Sequence, residues 1–273
     1  MDTESEDNPM NQTERRKYLI RYLLDEHPEY HALPVPNDIN EQKTVLRSLM
    51  NIRRPASISR EFLTIQDAYL QEELQTRGIT GIESLVPLKD DLYLWQGDIT
   101  TLQCDAVVNA ANSGMTGCYV PCHKCIDNCI HTYAGIQLRS YCDSMMKQQG
   151  TEEPTGSAKI TPAGNLPCKY VIHTVGPIIY DAVTPKDRAL LSSCYRSCLT
   201  IAEQNQLSSI AFCCISTGEF RFPNQEAAEI AVQTVTAFKA ETGSHIKVIF
   251  NVFKDLDYGI YRKLLIAEQE NNR

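Results

Sequence analysis

Beyond Leu92 the chain changes rhythm, and that change constrains its fold more than any other feature. Short β-branched or apolar runs at residues 92–95, 106–108, 170–175, 210–215 and 247–250 are separated by longer stretches with helical spacing, at 126–147, 185–204, 223–242 and 258–269. A period near two alternating with a period near 3.6 reads as strands alternating with helices. Such a chain stacks helices on a sheet, which makes this an α/β layered domain with ligands expected beyond the carboxyl ends of its strands. Pro223 suits the first turn of its helix.

The region before Leu92 has a different pattern. Residues 1–12 are polar and acidic with no periodicity and are expected to form a disordered tail. Leu19, Tyr22 and Leu23 then recur at helical spacing, as do Val45 with Leu49, and Phe62, Ile65 and Tyr69 behind a candidate Ser59 cap. Pro34, Pro36 and Pro55 break the pattern, and Gly78 and Gly81 punctuate its end. We expect a three-helix extension over 13–80 and a second domain over 81–273. The amphipathic pattern of the extension favours packing on the second domain over docking of a partner.

The 42% hydrophobic and 22% charged content of the 273 residues is that of an ordinary globular protein. A formal net charge of -8 disfavours binding to a nucleic-acid backbone, so no nucleic-acid partner is expected. A small pyrophosphate ligand remains compatible, because backbone N–H groups bind anions without side-chain charge. No apolar run reaches membrane-spanning length and the N-terminus lacks a signal-like pattern, so a cytoplasmic protein with no membrane partner is expected, and we take it as a monomer. Eleven cysteines spread along so long a chain point to free thiols or metal ligation in preference to disulfides.

Three constellations could carry chemistry. Strand residues Ala106, Val107 and Val108 run into Asn109, Ala110, Ala111, Asn112, Ser113 and Gly114, which puts two carboxamides just past a strand end. Such asparagines are often only turn residues. A second element, Ser216, Thr217, Gly218, Glu219 and Phe220, leaves an apolar strand and enters a helix whose unsatisfied N–H groups suit a diphosphate. Its plain alternative is a turn with Gly218 at positive φ.

The third constellation places Cys118, Cys122, His123, Cys125, Cys129 and His131 within fifteen positions. Two thiolates and one imidazole suit tetrahedral Zn2+ and leave one position open for water or substrate. Cys118, His123 and Cys125 lie in an irregular loop and are the chosen ligands, whereas Cys129 and His131 belong to the following helix and should point elsewhere. Cys122 could instead close a purely structural site. Asp127 opens that helix, where capping is the default role for a carboxylate. His131 lies within i,i+4 reach of it, and both His131 and His173 read as satisfied core histidines.

In order, Trp95 to Thr100 (WQGDIT), Asn109 to Ser113 (NAANS), Thr155 to Pro162 (TGSAKITP), Tyr170 to Pro177 (YVIHTVGP) and Ile215 to Pro223 (ISTGEFRFP) resemble the macrodomain family. The motifs span about residues 90–260, and the preceding helices are similar to an extension found on zinc-containing members. The resemblance implies a three-layer α/β/α fold with a central mixed six-stranded sheet and an ADP-ribose cleft. It implies that Asp98 and Ile99 hold adenine with Phe253 facing it, that Ser216, Thr217, Gly218, Glu219 and Phe220 wrap the diphosphate and distal ribose, and that Asn112 faces that ribose. Where many hydrolytic members carry a run of glycines, this chain has residues 118–127. That substitution is similar to the zinc-dependent branch and assigns one Zn2+ per chain to Cys118, His123 and Cys125, with Asp127 beside the scissile bond.

The resemblance therefore implies a zinc-dependent hydrolase that removes mono-ADP-ribose from modified proteins and releases ADP-ribose, with Asn112 and Asp127 as catalytic residues. Esters of acidic side chains are the linkage favoured by analogy. A non-catalytic ADP-ribose reader and an O-acetyl-ADP-ribose deacetylase are the alternatives.

Overall fold

Three helices open the computed structural model, which describes residues 10–270. Helix α1 (Gln12–Asp25) is closed at its start by a capping box, in which Asn11 accepts from the backbone of Thr13 and Glu14 while the Glu14 side chain accepts from Asn11. Most of the expected tail lies outside the described residues, and residues 10–12 form the approach, cap and first position of α1. Asp38 caps α2 (Ile39–Ile52) and Ser59 caps α3 (Arg60–Arg77), the latter as the sequence suggested. Leu19, Ile20, Leu23, Leu46, Leu49, Phe62 and Leu70 face inward from all three and form a hydrophobic core of their own.

The strands follow: β1 (Thr80–Gly81), β2 (Leu92–Gln96), β3 (Leu102–Gln103) and β4 (Ala106–Ala111), then helices α4 (Ile126–Ala134) and α5 (Ile136–Gln149). Strands β5 (Ala158–Pro162) and β6 (Tyr170–Val175) lead to α6 (Pro185–Gln204), β7 (Ser209–Phe212), α7 (Asn224–Thr242), β8 (Lys247–Val252) and α8 (Asp255–Glu270). Six strands form one sheet in the order β2-β8-β7-β4-β6-β5, parallel throughout except for β5, which runs antiparallel to β6. Strand β7 is buried at every position and β4, β6 and β8 at all but one, so helices cover both sheet faces. This is the expected three-layer α/β fold with a mixed six-stranded sheet.

Local departures have physical causes. The single helix expected over 126–147 is two helices, because Gly135 takes φ 94° and its space is closed by the Gln66 and Gln137 side chains. The run at 210–215 stops pairing at Phe212, and residues 213–220 turn out of the sheet. Strand β5 escaped notice among the strands because Thr161 and Pro162 dilute its alternation. All eleven cysteines are unpaired thiols. Among the described residues, no helix is long and apolar enough to cross a membrane.

The extension is bound to the rest of the molecule through buried polar groups. Gln66 accepts from the Ile136 N–H at 3.0 Å and donates to Gln137 at 2.7 Å, while Asp67 accepts from Asn165 at 2.6 Å. The buried Arg139 of α5 donates to the carbonyls of Asn51 and Arg53 at 2.7 and 2.6 Å, where α2 ends, and to that of Cys118 at 3.3 Å. Replacing Arg139 by Met keeps length and volume but strands these carbonyls. We expect Arg139→Met to lower unfolding free energy by about 3 kcal/mol in urea titration; an unchanged midpoint would mean that the remaining contacts of α2 and α3 hold the extension without Arg139.

Candidate active site

Four neighbouring parallel strands, β2, β8, β7 and β4, release their chains at one edge of the sheet. Immediately past them come Gly97 and Asp98, Phe253, residues 213–220, and Asn112. These residues line a cleft of about 910 Å³, together with Cys118, His123, Cys125, Ile126 and Asp127 from the loop and helix after β4. Asp98, Ile99, Asn112, Cys118, His123, Cys125, Asp127, Ser216, Thr217, Gly218, Glu219, Phe220 and Phe253, all singled out from the sequence, border this one cavity.

At one end, both oxygens of Asp98 are engaged. Oδ1 accepts from the Thr100 N–H and hydroxyl at 2.9 and 2.6 Å, and Oδ2 accepts from Arg77 at 3.0 Å. Arg77 also lies 3.7 Å from the Tyr133 ring centroid, so the end of α3 fixes this carboxylate. Ile99 is buried beside it, and Phe253 stands 76% exposed, a free aromatic face at the cleft rim.

The middle of the cleft is a set of unpaired donors. The N–H groups of Gly218, Glu219 and Phe220 have no acceptor among the described residues, and the buried Ser216 Oγ has no partner either. Positive φ falls on Ser216 (65°) and Arg221 (59°) and not on Gly218 as the turn reading supposed. Ser216 can lean inward because Gly176 opposite has no Cβ, which would stand 2.0 Å from Ser216 Oγ. Strained backbone and unpaired donors at one loop are what an anion-binding concavity requires.

Asp127 is the buried acid of the site. It does not cap α4; Cys125 does so, its Sγ accepting from the Asn128 N–H at 3.4 Å. Instead Asp127 turns inward, accepting from Asn109 Nδ2 at 2.8 Å and from Asn112 Nδ2 at 3.3 Å. Burial raises its pKa to about 6 against the opposing effect of those amides and of Arg139. Asn109 Nδ2 also donates to His173 Nδ1 at 3.1 Å, which leaves the Nε2 proton of His173 for Thr161 Oγ1 at 2.9 Å. His173 is thus a satisfied core histidine that orients Asn109.

His131 differs from its expectation. Its Nε2 is 3.6 Å from Asp127, beyond hydrogen-bond reach, and both ring nitrogens are buried without partners. Burial holds its pKa well below the usual histidine range. Cys129 also departs, since it faces the cleft and accepts from Arg47 at 3.5 Å.

Cys118 Sγ and His123 Nδ1 are 3.6 Å apart, and the ligand atoms of Cys118, His123 and Cys125 all lie within 4.8 Å of one another. Ligands about 2.0–2.3 Å from a tetrahedral centre stand roughly 3.3–3.8 Å from each other, so this donor set fits a divalent ion with little adjustment. Cys122 does not close the set: its Sγ turns to Ser48 Oγ and the Thr44 carbonyl of α2 at 3.2 and 3.5 Å. Burial pushes the Cys125 thiol up to about 12, a proton that a bound cation would displace. A second cluster of His131, Cys142 and His173 is fully buried, but both ring nitrogens of its His173 are already engaged.

Sequence reasoning missed Arg47, Arg77, Tyr133 and Asn251, which also border the cleft or fix its walls. Arg47 and Arg77 belong to helices far from the motifs in sequence and carry no local signal. Asn109 was visible within its motif, but its role depends on contacts 18 and 64 residues away.

The Macro domain family model matches residues 108–231. Over 260 residues the chain is 60% identical to a protein-ADP-ribose hydrolase of Treponema medium, covering 94% of this chain and all of that one. An Oceanobacillus iheyensis macrodomain solved with ADP superposes with a TM-score of 0.61 at 36% identity, over 68% of this chain and 96% of its own. A Trypanosoma brucei macrodomain in complex with ADP-ribose superposes with a TM-score of 0.63 at 30% identity, over 80% and 94%. With this sheet order, this cleft and these relatives, the chain belongs to the macrodomain family.

Proposed function

We propose that the protein hydrolyses the bond between mono-ADP-ribose and a modified protein side chain, with one zinc ion held by Cys118, His123 and Cys125. The observation that supports this most is the pairing of an open three-ligand cluster with a buried, amide-bonded carboxylate in a single cleft. A module that only reads ADP-ribose needs the Asp98 end and the 216–220 loop, and has no use for either feature. The name of the Treponema medium relative, a protein-ADP-ribose hydrolase, agrees.

Phe253 and Ile99 would sandwich the adenine while Asp98 accepts from its amino group. The unpaired N–H groups of Gly218, Glu219 and Phe220, with Ser216 Oγ, would hold the diphosphate and deliver the distal ribose to the far end. Asn112 is fixed there by bonds to the Gly117 carbonyl, the Gly114 N–H and Asp127. Its amide can then orient the ribose hydroxyls. Asp127 offsets positive charge building on the anomeric carbon and takes the proton of the attacking water at a carboxylate oxygen, which a pKa of about 6 leaves mainly ionised at neutral pH. When bound, zinc supplies Lewis acidity toward the ribose or leaving oxygen and lowers the pKa of a coordinated water. Esters of acidic side chains are the linkage we assign.

Incubating the protein with an auto-mono-ADP-ribosylated acceptor should release ADP-ribose, and a zinc chelator should abolish release, which zinc then restores. Release indifferent to the chelator would remove the metal from the reaction, and acetate release from O-acetyl-ADP-ribose would add the deacetylase activity. Asp127→Asn should keep ADP-ribose affinity within a few fold but lower turnover by about 10²–10⁴; undiminished turnover sinks its role. Cys118→Ala should lose bound zinc and turnover together, and a folded, active Cys118→Ala protein would contradict the ligand assignment.

A further inference from the structure

The Oceanobacillus iheyensis macrodomain is matched almost entirely while covering 68% of this chain, so a large part of this molecule lies outside that fold. One side chain of the N-terminal extension enters the cleft. Arg47 projects from α2, and its Nη2 donates to the His123 carbonyl at 2.8 Å, to Asn128 Oδ1 at 2.9 Å and to Cys129 Sγ at 3.5 Å. These three acceptors fix the guanidinium against the metal-binding loop and the first turn of α4. Its Nε is buried without a partner, and among the described residues its Nη1 has none either. The side chain nevertheless borders the cavity.

The charge of the cavity makes this placement consequential. Four acids border it, Asp98, Asp127, Glu219 and Asp257, against the permanent cations Arg47, Lys124 and Lys254. Lys124 and Lys254 are exposed. Arg47 alone of the three is half-buried and immobilised by named bonds, beside a helix start where the N–H groups of Ile126 and Asp127 have no acceptor among the described residues. A guanidinium pre-oriented in this way loses little side-chain entropy when it binds an anion, and partial burial strengthens the bond.

We propose that Arg47 is an anion-binding residue of the ligand site, its Nη1 donating to the diphosphate of bound ADP-ribose, so that the N-terminal extension completes the cleft. This rests on the reading of the cleft as an ADP-ribose site. The orienting contacts to His123, Asn128 and Cys129 make Arg47 a brace for the loop as well, and the test must separate brace from ligand contact.

The test is calorimetric titration of the full-length, zinc-loaded wild type, Arg47→Ala and Arg47→Lys with ADP-ribose and with adenosine, alongside zinc content and melting temperature. Arg47→Ala should weaken ADP-ribose on the order of 10- to 100-fold, the range of a charge-assisted hydrogen bond. Adenosine affinity should stay within about twofold, because that ligand lacks the diphosphate, and Arg47→Lys should recover part of the loss. The dependence of ADP-ribose affinity on salt should also flatten in Arg47→Ala. Equal loss for both ligands, or lost zinc with unchanged ADP-ribose affinity, would make Arg47 a brace alone and overturn the proposal. Wild type that fails to bind ADP-ribose would overturn the cleft reading itself and the proposal with it.

Discussion

Arg139 reaches across the molecule and donates to carbonyls that no helix could satisfy: those of Asn51 and Arg53, where α2 ends, and that of Cys118, in the middle of the cleft loop. A buried guanidinium is tolerated only where its donors are met and its charge is placed among acceptors. Here it also stacks 4.2 Å from the Tyr119 ring centroid and counters the rise in the Asp127 pKa. One side chain thereby ties the extension, the loop at Cys118 and the buried acid into a unit. Asn51 adds to it by accepting from the Cys122 N–H and donating to Thr132, so α2 grips the loop at a second point.

That grip explains how an irregular loop can hold three candidate ligand side chains close together. Residues 112–125 contain no helix or strand, and a free loop of that length would lose much conformational entropy on binding a metal. Held from outside, it brings Cys118, His123 and Cys125 together and turns Cys122 away toward Ser48. His123 Nε2 then stands 3.6 Å from Glu219, so this loop and the 216–220 loop meet at one end of the cleft.

Much of this was legible in the residues. The parallel strands announce themselves because both faces are buried and their apolar runs are continuous. The cleft residues sit at strand ends, where the α/β topology alone forecasts a ligand. What stayed hidden depends on distance in sequence. The break at Gly135 is imposed by Gln66 of α3, and the state of His131 follows from burial beside a carboxylate it fails to reach. The positive φ values of the 216–220 turn fall on Ser216 and on Arg221 just past it, and the room that Gly176 leaves for Ser216 is something no local pattern encodes.

The net charge of -8 and the proposed anionic ligand are reconciled by where the donors lie. Backbone N–H groups of the 216–220 loop and of the start of α4 supply fixed partial charge that the composition does not count. Zinc K-edge absorption of the zinc-loaded protein reads the coordination proposed for Cys118, His123 and Cys125 beside Asp127. An open three-ligand site gives two sulfur neighbours at about 2.3 Å and two nitrogen or oxygen neighbours at about 2.0 Å, one of them exchangeable solvent. Three or more sulfur neighbours would mean that Cys122 or Cys129 closes the site, and a protein that takes up no zinc would rule out the proposed site altogether.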